Sequence, residues 1–170
     1  MPNKNRGIHL RDESDTNGIY STSITVNPVW FNHDDPRTYS KQTSMEIQII
    51  LKSTQSWITC PEFVLFHNGG RGFPVNVDCI KLTPGFHFGQ IQAYDVNQLT
   101  NGPLFSVPIT VCKPEPVDRT LQALKWSNIE FESGEIVRKF VQVPMNANFA
   151  GNDSILLLKY LMFRINCSFY

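Results

Sequence analysis

Thr43-Ser44-Met45 is the tripeptide in this 170-residue chain that most invites a catalytic reading. A serine becomes a nucleophile where it opens a buried helix and the helix dipole, a histidine base and oxyanion donors converge on its hydroxyl. Ser44 instead heads an alternating run. Met45, Ile47, Ile49 and Leu51 would share one face of a strand over residues 43–52, with Glu46, Gln48 and Lys52 on the other. A solvated serine at a strand end is the plainer reading. There is no Gly-x-Ser-x-Gly elbow, and His9, His33, His67 and His87 stand in no context that pairs them with a serine or an acid.

Metal and phosphate chemistry fare no better. Glu13-Ser14-Asp15-Thr16-Asn17-Gly18 resembles the first half of a calcium loop, but its first ligand would be Glu13 and its twelfth Ile24, where a bidentate glutamate is needed. A polar turn leading into a strand accounts for it. His33-Asp34-Asp35-Pro36 offers a nitrogen and carboxylate oxygens, yet adjacent residues rarely converge on one ion, and an exposed loop suffices. Gly69-Gly70-Arg71-Gly72 lacks both the spacing of a phosphate-binding loop and a following helix, and reads as a hairpin turn. No catalytic, cofactor-binding or metal residue is therefore assigned, and no cofactor is expected.

The four cysteines, Cys60, Cys79, Cys112 and Cys167, could form disulfides in a secreted chain. The polar start Met1-Pro2-Asn3-Lys4-Asn5-Arg6 leads into no apolar stretch of a secretory signal, so a cytoplasmic setting and reduced, structural thiols are expected. A Cys60–Cys112 bridge of immunoglobulin type would want a tryptophan after the first cysteine, whereas Trp57 precedes it. The glycosylation triplets Asn152-Asp153-Ser154 and Asn166-Cys167-Ser168 matter only in a secretory setting.

Aromatic residues are the remaining candidates. Trp57, Phe63, Phe66, Phe86, Phe88 and Phe105 fall at strand spacing and are expected in the core, the alternative being a ligand face. Trp30-Phe31 lies in loop-like sequence, where an exposed pair would be a contact site against a neighbouring domain.

The elements that would carry these residues are strands. Residues 19–26, 43–52, 56–60, 63–66, 73–77, 86–94 and 104–111 are short apolar or alternating runs separated by turn clusters. That spacing predicts two packed antiparallel sheets. Cys79-Ile80-Lys81-Leu82 is read as a turn, and no long helical period occurs before residue 115. Pro108 interrupts the alternation of Phe105, Val107, Ile109 and Val111, so the last strand is expected at an edge or with its N–H side turned from a neighbour. Two prolines mark 113–120 as a linker, followed by strands at 124–131 and 136–143 around a Ser133-Gly134 turn.

Fifteen basic and fifteen acidic residues cancel, without like-charge runs, which argues against nucleic acid or an anionic membrane as partner. The apolar stretch from Ile155 to Phe163 is about half the roughly 20 residues of a membrane span.

Five blocks carry a resemblance. Asn5-Arg6-Gly7-Ile8-His9-Leu10-Arg11-Asp12, Ser56-Trp57-Ile58-Thr59-Cys60-Pro61, Val75-Asn76-Val77-Asp78, Gly85-Phe86-His87 through Tyr94-Asp95 to residues 102–111, and the weaker 131–144 stand in the order of the region after the catalytic domain in the tripeptidyl peptidase II family. The resemblance implies an all-β chain: residues 1–12 ending a linker from the catalytic domain, 13–112 an immunoglobulin-like antiparallel β-sandwich, 113–120 a linker, 121–150 the truncated start of a galactose-binding-like β domain, and 151–170 a divergent tail. An alternative exon, a mistaken reading frame and intron read-through each account for that tail. The family's Ser-His-Asp triad lies upstream of the Gly7-Ile8-His9-Leu10 block, so none of it carries over. Ser44 also departs from the subtilisin-class Gly-Thr-Ser-Met-Ala/Ser-x-Pro context, with Gln42 before Thr43 and Glu46-Ile47 after Met45. By resemblance this is a noncatalytic segment of a cytosolic serine exopeptidase that releases tripeptides from peptide N-termini. Its partners would be neighbouring domains and subunits of a large homo-oligomer. The alternatives are an independent β-sandwich interaction module and, requiring activity lost in Ser44→Ala, a self-sufficient hydrolase.

Overall fold

Strands with β-branched and aromatic residues at every second position bury one face and leave the other wet, and strands make up most of the described residues. The computed structural model describes residues 7–30, 36–117, 123–129, 135–142, 150–157 and 162–169. They fall into two units, Met1–Lys113 and Pro114–Tyr170.

The first unit contains β1 (Ile8–Leu10), α1 (Glu13–Thr16), β2 (Ile19–Val26), α2 (Pro36–Thr43), β3 (Glu46–Ser53), β4 (Ile58–Thr59), β5 (Phe63–His67), β6 (Arg71–Asp78), β7 (Gly85–Asp95) and β8 (Phe105–Lys113). One sheet runs β1-β8-β7-β3-β5 and the other β2-β6-β4. Every pairing is antiparallel except β1 with β8, which run parallel from Ile8↔Ile109 to Leu10↔Val111. Their inward residues form one apolar cluster, with Ile49, Ile91 and Ile109 from the first sheet meeting Phe73, Val75 and Val77 from the second. Full burial of such side chains contributes about 1.5–3 kcal/mol each, so this layer dominates the unit's stability.

An all-β sandwich is what the sequence predicted, and the structure adds detail. Ile8–Leu10 lies before residue 13 yet is a strand of the first sheet, with Leu10 buried. At three residues it is too short for alternation to show. Pro108 sits on an interior strand, but β1 pairs with β8 only from Ile109 onward. Beside Pro108 the chain passes as Gly7, φ 115°, where any Cβ would strike the Pro108 carbonyl.

Two sequence readings are corrected here. β3 begins at Glu46, because Pro36–Thr43 is helix; its sequence, Pro-Arg-Thr-Tyr-Ser-Lys-Gln-Thr, shows no apolar stripe to announce it. Cys79–Lys81, read as a turn, is a 3-10 helix. Asp78 holds its start by accepting from the Ile80 N–H at 3.2 Å. Its end is held by Lys113, whose Nζ donates to the Cys79 and Leu82 carbonyls at 2.7 and 2.9 Å.

In the second unit β9 (Ala123–Ile129), β10 (Ala150–Leu157) and β11 (Met162–Phe169) form an antiparallel sheet of order β10-β11-β9. β10 and β11 thus join the strand before them in one sheet. Of the strand expected over 136–143, the described residues 136–142 form none: residues 135–140 are irregular, and Val141 makes only an isolated parallel bridge with Glu115. Glu115 organises this segment, accepting from Trp126 Nε1 at 2.6 Å and pairing with Lys139 at 3.2 Å. The Ser133-Gly134 turn lies outside the described residues. No helix among the described residues is long and apolar enough to cross a membrane.

Candidate interaction surface

Ser44 follows the last turn of α2, and its Oγ donates to the Ser40 carbonyl at 2.8 Å. That bond occupies the hydroxyl with local backbone, the ordinary use of serine at a helix end. His87 is committed elsewhere, its Nε2 lying 2.7 Å from the Thr83 carbonyl. His9 and His67 are exposed on β1 and β5, and His33 lies outside the described residues.

The apparent calcium half-loop is helix. Glu13–Thr16 forms α1, with Thr16 fully buried and donating to the Asp12 carbonyl at 3.0 Å, and Asn17 bonded to Glu13 Oε1 at 3.3 Å. The side-chain oxygens of Glu13, Ser14, Asp15 and Thr16 each bond within this segment. Gly69-Gly70 forms the β5–β6 turn, where Gly70 has φ 78° and donates to the His67 carbonyl. A side chain at Gly70 would collide with Asn27, so the turn seats against the end of β2.

Cys60, Cys79 and Cys112 are free thiols, so the immunoglobulin-type bridge is absent. Burial raises the pKa of Cys79 and of Cys60, which keeps both as inert thiols at neutral pH. Asp78 is shifted the other way. Its hydrogen bond with Lys81, at 3.0 Å, is the main cause of a carboxyl pKa below the usual value.

The aromatics divide. Trp57 and Phe66 are in the core, and Phe105 packs on it with its ring 5.9 Å from that of Phe66. Phe63, Phe86 and Phe88 are not core: they are 65%, 59% and 52% exposed. The register explains this. Ile91 and Ala93 point inward on β7, which turns Phe86, Phe88, Gln90 and Gln92 outward, and Phe63 stands opposite Ile50 on the outer side of β5 and β3. Trp30 is half-buried and its Nε1 donates to Asn68 Oδ1 at 2.9 Å, while Phe31 lies outside the described residues.

One surface escaped the sequence reading. β2 pairs with β6 along all eight of its residues, and among the described residues no strand pairs with its other edge. Tyr20, Thr22, Ile24 and Val26 face inward yet remain only half-buried, whereas Phe73, Val75 and Val77 beside them on β6 are closed. An open pocket of about 420 Å³ lies there, lined by Tyr20, Thr22 and Ile24 of β2, Gly7, Ile8 and His9 at β1, and Val107. The signal was present in Ile-Tyr-Ser-Thr-Ser-Ile-Thr-Val, a strand with no charge and no proline.

Two facing sheets, an edge strand that parallels the last strand and free cysteines define an immunoglobulin-like β-sandwich whose notable features are surfaces. Residues 1–112 match the family model described as "Tripeptidyl-peptidase II, first Ig-like domain", and the chain belongs to that family. It is 33% identical over 147 residues to tripeptidyl-peptidase 2 of Oryza sativa subsp. japonica, covering 86% of this chain and 11% of that protein. Against tripeptidyl-peptidase 2 of Drosophila melanogaster it is 30% identical over 156 residues, covering 87% of this chain and 11% of the relative. The chain thus spans about a tenth of the length of these relatives. A crystal structure of tripeptidyl peptidase 2 superposes with a TM-score of 0.74 at 21% identity, over 97% of this chain and 18% of that one, which supports the fold.

Proposed function

We propose that this chain is a noncatalytic structural segment of a tripeptidyl peptidase II homologue. The observation that carries the reading is the match of residues 1–112 to that family's first immunoglobulin-like domain. The engaged hydroxyl of Ser44 agrees with it. In this reading the parent is a subtilisin-class serine peptidase of the cytosol that releases tripeptides from free peptide N-termini, its triad lying upstream. The sandwich braces the catalytic domain, positions later domains and contributes to a large homo-oligomer. Residues 113–120 act as linker, and 121–150 begin a galactose-binding-like domain.

The pairing of β10 and β11 with β9 favours a second reading, an independent interaction module, because the divergent tail completes a sheet. An immunoblot of native extract with an antibody to residues 13–111, with peptide mass spectrometry of each band, separates the two. A band many times heavier than 19.4 kDa, with none at that mass, is the expected result. A 19.4 kDa species containing peptides of the tail would replace the first reading with the second. Purified chain should release no tripeptide, and Ser44→Ala should change nothing.

A further inference from the structure

Asn17, Asn68 and Asn101 each precede a glycine, and all three are exposed. An Asn-Gly pair can react with itself, the glycine amide nitrogen attacking the asparagine carboxamide carbon. Glycine favours this because it has no Cβ to shield the nitrogen or to restrict the rotation that brings the two atoms together. The fold treats the three carboxamides differently.

At Asn17 and Asn101 it holds the nitrogen that would have to leave. Asn17 Nδ2 donates to Glu13 Oε1 at 3.3 Å, and Asn101 Nδ2 donates to Gln98 Oε1 at 2.7 Å. Donation from Nδ2 pushes electron density through the amide toward its carbon, which becomes a poorer target. The backbone around Asn17 is fixed as well, its own N–H bonded to the Glu13 carbonyl and the Gly18 carbonyl to the Cys79 N–H.

At Asn68 the polarity is reversed. A tryptophan N–H can only donate, so the atom 2.9 Å from Trp30 Nε1 is Oδ1. Among the described residues, Nδ2 and the Gly69 N–H have no hydrogen-bond partner. Trp30 therefore points a donor at the oxygen on which negative charge develops as the nitrogen attacks, in place before the reaction begins. The Asn68–Gly69 peptide is the middle one of the turn that Gly70 N–H closes onto the His67 carbonyl at 3.0 Å. A middle peptide can rotate while that bond is kept, and glycine in the third position of a turn accepts φ of either sign.

We infer that Asn68 is a site of spontaneous covalent modification, converted to aspartate and isoaspartate through a succinimide whose formation Trp30 assists. The Gly69 nitrogen gives its proton to hydroxide and bonds to Asn68 Cγ. The Cγ–Nδ2 bond breaks, and the nitrogen leaves as ammonia with a proton taken from water. A water molecule then opens the ring at one carbonyl or the other, giving aspartate or an isoaspartate whose main chain runs through the former side chain. Either product adds a negative charge. Isoaspartate also adds a methylene to the turn that links β5 of one sheet to β6 of the other, where Gly70 seats against Asn27 with no room for a Cβ. The link between the sheets thus loosens as the molecule ages, whatever the parentage of the chain.

The test is to incubate the full 170-residue chain at mildly alkaline pH and follow its tryptic peptides by mass spectrometry, with fragmentation that separates isoaspartate from aspartate. The peptide of residues 53–71 has Asn68 as its one asparagine. Asn68 should convert ahead of Asn17 and Asn101, and Trp30→Phe should slow it by roughly 5-fold, the worth of one exposed hydrogen bond to the developing charge. Gly69→Ala, whose added Cβ meets nothing within 4 Å, should nearly stop the reaction. Far-ultraviolet circular dichroism matched to the parent shows that each variant is folded. In urea the three sites should react alike. Conversion of Asn17 or Asn101 as fast as Asn68 in the folded chain would overturn the inference, as would a rate unchanged or raised in Trp30→Phe. So would a preference for Asn68 that survives urea, or a Gly69→Ala chain that reacts undiminished.

Discussion

Gly89 offers the sharpest test of the packing described above. It lies on the inward side of β7, and a Cβ built there would fall 2.6 Å from Ile58 Cδ1, 2.8 Å from Gln55 Cγ and 3.2 Å from Trp57 Cζ2. Ile58 and Trp57 are 3% and 7% exposed, so they have little room to retreat. Overpacking a close-fitted core costs about 1–3 kcal/mol, and removing glycine's freedom from the unfolded chain returns roughly 0.5–1 kcal/mol. Gly89→Ala should therefore destabilise by about 1–2 kcal/mol, lowering the urea midpoint by roughly 0.7 M at an ordinary m-value. Because the tightest contact is a single methyl, Ile58→Val should relieve it. That substitution alone costs about 0.5–1.5 kcal/mol, but the double variant should be more stable than additivity predicts by about 1 kcal/mol. Unfolding is followed by the fluorescence of Trp57 in a background carrying Trp30→Phe and Trp126→Phe. A stabilising Gly89→Ala, or strict additivity with Ile58→Val, would refute the claim that the β4 connection packs directly on this glycine.

Lys113→Met should cost about 2 kcal/mol in the same assay, since it removes the Nζ bonds at 2.7 and 2.9 Å to the Cys79 and Leu82 carbonyls and leaves the Cys79 carbonyl with the Leu82 N–H alone. Asp78 predicts a pH dependence. Its carboxyl pKa is lower in the folded protein, mainly through Lys81, so its contribution is present above the ordinary aspartate range and is lost as pH falls through the depressed folded value. Thermal melts of Asp78→Asn and wild type should accordingly converge as the solution is acidified, and diverge again at neutral pH.

The parts legible in the sequence were those where one face is buried and the other wet. Ile19–Val26 was read to its final boundaries because its alternation is uninterrupted. Phe86 and Phe88 were misplaced because near the start of β7 the large apolar residues stand on the outer row, opposite Gly85, His87 and Gly89, and period two says which residues share a face but not which face is inside. Only Ile91 and Ala93, further along, break the tie. α2 escaped because a surface helix without an apolar stripe leaves no periodic trace, although Asp35-Pro36 carries the residue types of a helix start. The open edge of β2 was unreadable for a different reason: a strand's sequence records its faces, while its neighbours are set by the rest of the sheet.

The parallel pairing of β1 with β8 has a mechanical consequence. β1 is the first strand of the first unit and β8 the last, and the two run side by side in one direction. Tension applied through the chain before β1 and after β8 pulls the strands past each other along their length. The hydrogen bonds between Ile8–Leu10 and Ile109–Val111 are then loaded together in shear, where an antiparallel hairpin pulled from its open end would release them one at a time. Three residues of β1, with Ile8 and Leu10 buried beneath them, thereby act as a clasp against stretching in a unit that a longer chain could pull from both sides.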